Sequence, residues 1–244
     1  MERISRLNPL YEALKAPSCR VQKILIQKDS TKKKVEEIIA MAEGLCLPIS
    51  FVPRQKLDAL DPHHQGIVAF VSGKKLSTIA DMLLVSSLPF VLLLDGVEDP
   101  QNLGAIIRTA EGAGVDGIVI PQRRAVGLTE AVSLVSAGAI EHVKIARVKN
   151  LARAMDVLRE KQVWLVGAEK SSGRDWFQFD YTLPVGIVLG SEGKGLRPLI
   201  RKKCDEILSI PLLGRMTSLN VAVAASVFMY EVVRQRKAKA KNIE

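Results

Sequence analysis

The sequence predicts an α/β protein in which a small α/β domain precedes a larger domain built on a parallel sheet. From Phe90 onward, apolar segments alternate with helix-like segments; the apolar ones are FVLLLD, GIVIP, VKIARV, VWLVGA, VGIVLG and EILSIP. Continuous apolar strands of this kind are typical of a parallel sheet that is buried on both faces. The pattern changes near residues 72–87, so we expect domains over residues 1–75 and 89–244 with a linker over 76–88.

The first domain has shorter and more polar segments. An alternating pattern predicts a strand over Val21–Gln27, and a threonine near its start with a glycine at its end predicts a helix over Thr31–Gly44. The remaining predicted elements are a helix over Asn8–Lys15, strands over Leu47–Val52 and Gly66–Val71, a polar loop over 54–65, and a short helix over Leu76–Leu84 in the linker.

The composition is that of a basic globular protein. The 244 residues are 48% hydrophobic, which is ample for a buried core. Lysine and arginine number 35 against 26 acidic residues, which gives a net charge of +9 and a pI near 9.5. Such a surplus indicates either a polyanionic partner or simply a basic protein, and charge alone leaves both interpretations open.

Several classes of protein are disfavoured. The longest apolar runs, Leu88–Leu94 and Val221–Tyr230, are far shorter than the roughly 20 residues of a membrane span. The N-terminus carries charges where a signal peptide would be apolar, so we expect a cytoplasmic protein. Cys19, Cys46 and Cys204 are widely spaced and form no CxxC pair, so we expect neither a disulfide framework nor a metal site.

The first of three turns that carry the chemistry is DGVEDPQNLGAIIRTAEGAG. Ligands of open α/β sheets bind outside the carboxyl ends of the strands, where this turn lies. Asn102 sits where the N-cap of a helix running to about Glu111 is expected. Arg108 follows within two helical turns, so both side chains could face the same mouth of the sheet. The alternatives are a plain cap and a surface arginine.

The second turn, LGSEGKGL, also follows a strand. It matches neither the GxGxxG of dinucleotide folds nor the GxxxxGK[ST] of phosphate loops, which argues against an oxidoreductase and an ATP-dependent enzyme. Closely spaced glycines let the backbone approach a flat ligand. Glu192 in this turn has no evident packing role, although a solvated carboxylate is the alternative.

The third turn, IPLLGRMTSLNVAVAASVFMYEVVRQR, joins a strand ending at Pro211 to an apolar helix. We expect Thr217 or Ser218 to cap this helix, with Ser218 and Asn220 at its start. Apolar residues at helical spacing predict that the helix packs on a core or on a partner subunit. The basic stretch Arg234–Lys241 is interpreted as a frayed, solvated helix end, with contact to RNA as the alternative.

These three turns resemble the motifs of the SpoU (TrmH-type) branch of the SPOUT RNA methyltransferases. NLGAIIR, LGSEGKGL and IPLLGRMTSLNVAVAASV occur in the family's order, and the resemblance extends over Phe90–Arg236. In the N-terminal part, NPLYEAL and HQGIVAF are similar to the small RNA-binding domain of the ribosomal-RNA members. The three-motif set is highly specific, and the N-terminal match is moderately so.

The resemblance implies a parallel sheet whose C-terminal end is tucked through a loop as a trefoil knot, which is very rare among folds. It implies S-adenosylmethionine as cofactor, no metal, and a homodimer whose interface includes the helix after Ser218. The cofactor would be held mainly by main-chain groups. The residues that match its binding positions are Leu189, Gly190, Gly195, Ile210 and Leu219.

The family's polar site positions match Asn102, Arg108, Glu192, Ser218 and Asn220. In the family the arginine is proposed as the general base, but an arginine pKa above about 12 makes it a poor proton acceptor. Our hypothesis is that Arg108 holds a phosphate and stabilises the forming alkoxide. Asn102 would orient Arg108 or the ribose, and Glu192 would steer the arginine or the substrate backbone. Ser218 and Asn220 would shape the start of the helix.

The resemblance therefore implies methylation of a ribose 2′-hydroxyl in RNA, with a guanosine of large-subunit ribosomal RNA as the expected target. Transfer RNA and an antibiotic-resistance site in ribosomal RNA are alternatives within the class. A non-catalytic RNA-binding protein is the alternative from another class. The N-terminal domain would choose the RNA, and Lys32–Lys34 would contact phosphate or be a solvated helix start.

Overall fold

The computed structural model describes residues 2–28, 30–170 and 172–241; Met1 and residues 242–244, at the ends of the predicted domains, lie outside the described residues. In chain order the elements are β1 (Glu2–Ile4), α1 (Leu7–Lys15), β2 (Val21–Gln27), α2 (Lys33–Gly44), β3 (Ile49–Val52), α3 (Arg54–Asp58), β4 (Ile67–Val71), α4 (Ile79–Leu83), β5 (Phe90–Asp95), α5 (Pro100–Gly112), β6 (Gly117–Pro121), α6 (Glu130–Val135), β7 (Ile145–Val148), α7 (Leu151–Glu160), β8 (Trp164–Glu169), β9 (Val185–Gly190), α8 (Pro198–Lys202), β10 (Glu206–Ser209) and α9 (Val221–Lys241).

The chain forms two compact units. The first contains Met1–Lys75 together with Leu128–His142, and the second contains Leu76–Gly127 and Val143–Glu244. The predicted α/β class, with a parallel sheet after a smaller N-terminal domain, is confirmed. Most predicted elements exist, and their ends differ from the prediction by at most three residues.

The first unit is a four-stranded mixed sheet in the order β1-β4-β2-β3. β4 is antiparallel to both β1 and β2, whereas β2 and β3 are parallel. Helices α1 and α2 bury their apolar sides against this sheet. The predicted polar loop over 54–65 is wrong in part, because α3 forms there: Leu57 is fully buried against Leu25, Val52 and Val68.

The segment Leu128–His142 completes the first unit. Its helix α6 packs on β1. The short 3-10 helix that follows, Ala139–Glu141, packs on α1. Arg20 donates hydrogen bonds to the Glu141 carboxylate from its Nε (3.0 Å) and its Nη2 (2.8 Å). Both side chains are at least nine-tenths buried. The same guanidinium donates to Glu2 at 2.7 Å. A buried ion pair therefore ties this segment to the sheet of the first unit.

The lysines at the start of α2 have partners within the first unit. Lys32 donates to the carbonyl of Gln65 at 2.9 Å, and Lys34 donates to Asn8 Oδ1 at 2.6 Å. The Nζ of Lys34 also lies 4.8 Å from the ring centre of Tyr11. Helix α2 begins at Lys33, two residues later than predicted, and has no side-chain cap.

The second unit is a six-stranded, all-parallel sheet in the order β10-β8-β9-β5-β6-β7. Strand β5 lies in the middle of the sheet and is buried along its whole length. It pairs with β9 in a register that sets Asp95 beside Gly190, so the last residues of both strands meet at the carboxyl edge. This edge receives the three turns singled out from the sequence.

Helix α9 packs against α5 and continues to Lys241. The interpretation of Arg234–Lys241 as a frayed, solvated end is wrong for Arg236, which is half-buried and donates to the carbonyls of Leu88 (2.9 Å) and Leu183 (3.0 Å). Within residues 2–28, 30–170 and 172–241, no helix is long and apolar enough to cross a membrane.

Candidate active site

The candidate site lies at the carboxyl edge of the parallel sheet, between β5 and β9. On one side of β5 lie β6 and then β7, which follow it in the chain. On the other side lie β9, then β8, then β10. The order of strands therefore reverses between β5 and β9, and such switch points are where open α/β sheets bind ligands. The turns after β5, β9 and β10 all reach this point.

Three of the five predicted polar residues are joined by hydrogen bonds here. Glu192 Oε1 accepts from Asn102 Nδ2 at 2.7 Å and from Asn220 Nδ2 at 2.9 Å. Asn220 Nδ2 also donates to Asn102 Oδ1 at 2.9 Å. One residue from each of the three turns thus enters a single group, which we call the amide–carboxylate cluster (Asn102, Glu192 and Asn220).

The position of Asn102 differs from the prediction. Asp99, rather than Asn102, caps α5, because its side chain accepts from Gln101 N and Pro100 occupies the first helical position. Asn102 therefore lies inside the first turn of the helix, where it is buried. Because the side chain of Asn102 does not cap the helix, its amide can donate to Glu192.

Asn220 has two roles in the structure. Its Oδ1 accepts from the main-chain N–H of Ala222 (2.9 Å) and of Val223 (3.3 Å), so it caps α9. Its Nδ2 belongs to the amide–carboxylate cluster. The prediction that Thr217 or Ser218 caps this helix is wrong, because α9 begins only at Val221. Ser218 instead lies on the wall of a cavity described next.

A cavity of about 100 Å³ lies between the second and third turns. All five residues predicted to bind the cofactor lie on its wall, together with Glu192 and Ser218. The five are Leu189, Gly190, Gly195, Ile210 and Leu219. Its wall combines apolar side chains with main-chain groups of a glycine-rich loop, which suits a ligand that has a flat, partly apolar group.

The glycine-rich loop is closed on itself. Ser191 and Gly195 exchange two main-chain hydrogen bonds, of 3.2 and 3.0 Å, and Gly193 turns the loop with a φ of +81°. A Cβ on Gly190 would stand 2.1 Å from the carbonyl carbon of Gly195. Glycine is therefore required at Gly190 for this close approach of two backbones.

A larger cavity, of about 710 Å³, adjoins the first one. Ser191, Glu192, Gly195 and Val221 lie on the walls of both cavities. Asn102 also lies on the wall of the larger cavity. The amide–carboxylate cluster thus lies where the two cavities meet.

Arg108 is not part of this cluster. It is exposed on α5, and among the residues that the structure describes it makes no hydrogen bond or ion pair. Six residues along an α-helix rotate the side-chain direction by about 240°, so Asn102 and Arg108 leave the helix in different directions.

Asp95 and Arg197 form an ion pair that the sequence did not predict. Asp95 is almost fully buried and accepts from Arg197 Nε at 2.7 Å and from Arg197 N at 3.0 Å. The link joins the end of β5 to the residue after the glycine-rich loop and so fixes that loop. The sequence did contain one indication of this pair: an aspartate, Asp95, ends the otherwise apolar run FVLLLD.

The cysteines have no disulfide partner in the described chain. Burial, with the negative charges of Asp205 and Glu169, raises the pKa of the Cys204 thiol to about 12, so this thiol stays protonated and weakly nucleophilic. Among the described residues, no group of three His, Cys, Asp or Glu side chains is placed to hold a metal ion.

Comparison with known proteins assigns both parts of the chain. Residues 89–230 match the SpoU rRNA Methylase family, and residues 7–77 match the RNA 2′-O ribose methyltransferase substrate binding family. A Bacillus subtilis protein assigned to the TrmH family of tRNA/rRNA methyltransferases is 42% identical over 234 residues, which is 94% of each chain.

Solved structures are similar over nearly the whole length. The SpoU methyltransferase AviRb of Streptomyces viridochromogenes superposes with a TM-score of 0.84 at 26% identity, covering 98% of this chain and 90% of that one. The same enzyme in complex with AdoMet has a TM-score of 0.83 at 27% identity, covering 97% and 90%.

The fold and the matched families define an RNA methyltransferase with its own substrate-binding domain. The chain belongs to the SpoU rRNA methylase family, as its sequence motifs predicted.

Proposed function

We propose that the protein transfers a methyl group from S-adenosylmethionine to the ribose 2′-hydroxyl of a guanosine in large-subunit ribosomal RNA. One observation carries the proposal: Glu192, bonded to Asn102 and Asn220, lies on the wall of both adjoining cavities. Two reactants held in these cavities would meet at the amide–carboxylate cluster. Positioning of this kind supplies a large part of the barrier reduction in group transfer.

The wall of the smaller cavity suits part of S-adenosylmethionine, because the cavity's volume of about 100 Å³ holds only a fragment such as a flat ring. Gly190 and Gly195 bring two backbones together, and the apolar side chains of Leu189, Ile210 and Leu219 line the remaining wall. Closely approaching main-chain groups and apolar side chains match the polar and flat parts of an adenosine. When bound, S-adenosylmethionine supplies a methyl group that is activated by its sulfonium. The five residues would hold and orient the cofactor and exclude water from it.

The ribose hydroxyl needs help to react, because it is a weak acid and a poor nucleophile. Arg108 lines neither cavity, so we assign to it the binding of a phosphate of the RNA, which would hold the ribose at the amide–carboxylate cluster, since its guanidinium stays charged. The fork of arginine donates two parallel hydrogen bonds to a phosphate. Its exposure and lack of a partner among the described residues leave it available for the RNA.

The other site residues would position the reactants. Asn102 and Asn220 hold the carboxylate of Glu192 in one orientation through two charge-assisted hydrogen bonds. Glu192 would then orient the ribose or the RNA backbone at the junction of the cavities. Ser218, on the wall of the smaller cavity, would contribute to the shape of the site near the reacting groups.

The target assignment rests on the N-terminal unit. Its match to the substrate-binding family of RNA 2′-O ribose methyltransferases, and the net charge of +9, support a large structured RNA. The family name refers to ribosomal RNA and the Bacillus subtilis relative is described for both tRNA and rRNA, so our choice of ribosomal RNA rests on the separate N-terminal unit. A cytoplasmic location follows from this substrate.

The proposal includes a homodimer and the trefoil knot expected from the resemblance. Large apolar side chains are exposed on the third turn and on α9, and an uncovered apolar surface favours a protein interface. These side chains are Leu213, Met216, Val223 and Tyr230. Val223 and Tyr230 are seven residues apart and so lie on one face of the helix. Analytical ultracentrifugation tests the dimer.

The experiment that tests the target uses tritium-labelled S-adenosylmethionine with unmodified transcripts of large-subunit ribosomal RNA and of transfer RNA. Primer extension that is sensitive to ribose methylation then maps the position. We expect one methylated guanosine in the ribosomal transcript, lost with Arg108→Ala and reduced with Arg108→Lys, which keeps the charge but loses the fork.

Other outcomes are equally informative. Label in transfer RNA alone would keep the chemistry and overturn the substrate. Full activity of Arg108→Lys would contradict two-pronged phosphate binding. Absence of cofactor binding would favour a non-catalytic RNA-binding protein.

A further inference from the structure

Three exposed charged side chains on the wall of the larger cavity are unpaired within the part of the chain that the structure describes. Glu98, Arg124 and Lys194 line it without a hydrogen bond or ion pair to any described residue. The other charged residues of its wall are engaged: Asp95 with Arg197, Asp99 in capping α5, and Glu192 in the amide–carboxylate cluster. Two cations and one carboxylate therefore face the cavity uncommitted.

Arg124 is held in an unusual backbone conformation. Its φ is +59°, in the left-handed region that residues other than glycine seldom adopt. The loop is nonetheless fixed on both sides of it, because Gln122 N donates to Val148 O at 2.9 Å and Val126 N donates to Val97 O at 3.1 Å. This conformation, which Cys46, Ala137 and Gln162 also adopt, therefore fixes the position of Arg124 on the wall of the cavity.

A ligand of this cavity must match both its positive and its negative side chains. A ribonucleotide within an RNA chain presents phosphates on both sides of its ribose and a base with its own donors and acceptors. The arginine fork matches a phosphate, and a carboxylate only accepts hydrogen bonds. A volume of about 710 Å³ is within the usual range of small-ligand pockets.

We propose that the larger cavity holds the target nucleotide of the RNA, with Arg124 on a flanking phosphate and Glu98 on the Watson–Crick edge of a guanine base. This inference rests on the proposed function, since it places that reaction's second substrate. The shared wall of Ser191, Glu192 and Gly195 sets the occupant directly beside the cofactor cavity. Lys194, in the loop between the cavities, would take the second flanking phosphate.

Glu98 selects among the bases by its chemistry. Guanine presents two neighbouring donors on its Watson–Crick edge, the N1–H and the N2 amino group. The other three bases present one donor group there, so only guanine can satisfy both oxygens of a carboxylate. Single nucleotides of RNA are commonly read on this edge after they leave the stack. An unpaired carboxylate in the cavity therefore favours guanosine.

The role of Arg124 is tested with Arg124→Gly, because glycine accepts the positive φ and removes only the cation. Lys161→Ala is the control: Lys161 is exposed just before β8, at the opposite edge of the sheet. With unmodified large-subunit ribosomal transcripts, we expect the KM for RNA to rise at least about tenfold in Arg124→Gly. The Kd for S-adenosylmethionine, measured by calorimetry, should stay unchanged.

Filter binding of the same transcripts gives a second readout that does not depend on catalysis. The slope of log Kd against log salt should fall by roughly 0.7 to 0.9 in Arg124→Gly, which corresponds to one phosphate contact. Lys161→Ala should keep the wild-type slope. An unchanged slope and an unchanged KM in Arg124→Gly would overturn the phosphate contact.

Glu98 is tested at the mapped position with guanosine or inosine, which lacks the N2 amino group. We expect inosine to lower kcat/KM of the wild type about tenfold. Glu98→Gln should lose about as much with guanosine and then discriminate little between the two bases. The control Glu160→Gln, at the same opposite edge as Lys161, should behave as the wild type.

The outcomes separate the two proposals. A wild-type protein that methylates no RNA contradicts the proposed function. An active wild type whose Glu98→Gln variant still discriminates guanosine from inosine contradicts the inference about the base and leaves the proposed function intact.

Discussion

Asn220 and Glu192 lie 28 residues apart in the chain, and the Nδ2 of Asn220 donates to the Oε1 of Glu192 at 2.9 Å. The other polar atom of the Asn220 side chain, its Oδ1, caps α9. One amide therefore stabilises a helix with its oxygen and orients a site carboxylate with its nitrogen. This division lets the structural and functional parts of the residue be separated by mutation.

Asn220→Asp should keep the cap and lose the donor, because aspartate is an equally good N-cap residue. The new carboxylate would face Glu192, so we expect kcat to fall at least about tenfold while stability changes little. Asn220→Ala should lose both, with about 1 kcal/mol less unfolding free energy. The control is Asn150→Ala, which removes the cap of α7 away from the cluster and should lower stability but not activity.

Gly190→Ala should weaken cofactor binding. The new Cβ would stand 2.1 Å from the carbonyl carbon of Gly195 and 2.4 Å from Leu196 N, and backbone cannot move aside cheaply. We expect a loss of roughly 1–3 kcal/mol in stability and at least a tenfold weaker Kd for S-adenosylmethionine by calorimetry. Gly44→Ala, which meets nothing within 4 Å, serves as the control. Normal cofactor binding by Gly190→Ala would mean that the loop is not held as described.

The buried ion pair Arg20–Glu141 should be costly to break from one side. Burial lowers the pKa of Arg20, but hydrogen bonds to Glu141 and Glu2 outweigh it and raise that pKa overall. Arg20→Ala leaves the Glu141 carboxylate buried without its partner, so we expect a loss of about 3 kcal/mol in chemical denaturation. Arg54→Ala, which removes the exposed pair with Asp58, should cost less than about 1 kcal/mol. Equal effects would contradict a structural role of the Leu128–His142 segment.

Asp61 should make the first unit sensitive to acid. Burial opposes its ionisation, but hydrogen bonds from Ser5, His63 N and Arg6 lower its pKa to about 2. Because the folded pKa is below the unfolded value, the stabilisation is complete above about pH 4 and disappears as the pH falls toward 2. Because Asp61 is only slightly buried, solvent screening reduces this contribution to about 1 kcal/mol.

Asp61→Asn should therefore be less stable than the wild type at pH 6, and the difference should shrink as the pH falls below 4. Urea unfolding curves across this range measure it. A difference that is independent of pH would contradict the assigned cause of the shift.

The sequence predicted the parallel sheet well, because buried strands such as FVLLLD leave a continuous apolar signal. The five residues that the family resemblance assigns to the cofactor lie on the wall of one cavity, and their binding of the cofactor stays a prediction. The cap of α5 was misassigned: Asp99 and Asn102 are both good caps, and only the fold decides which one the helix leaves free.

Other features depend on contacts between distant residues and leave no local signal. The pairing of Arg20 with Glu141 joins residues 121 positions apart, and nothing near either residue indicates it. The strain at Arg124 is likewise invisible in the sequence, because arginine is not a residue that marks a positive φ. Glu98 likewise has no distinguishing feature in the sequence, and only its place on the wall of the larger cavity suggests a role.

The measurement that tests the central claim most directly is the identification of the methylated nucleoside. RNA incubated with the protein and labelled S-adenosylmethionine is digested to nucleosides and analysed by mass spectrometry, with Glu192→Ala as the inactive control. We predict that the label lies on the ribose as 2′-O-methylguanosine and is absent with Glu192→Ala. A methyl group on a base, or label that persists in Glu192→Ala, would contradict the account.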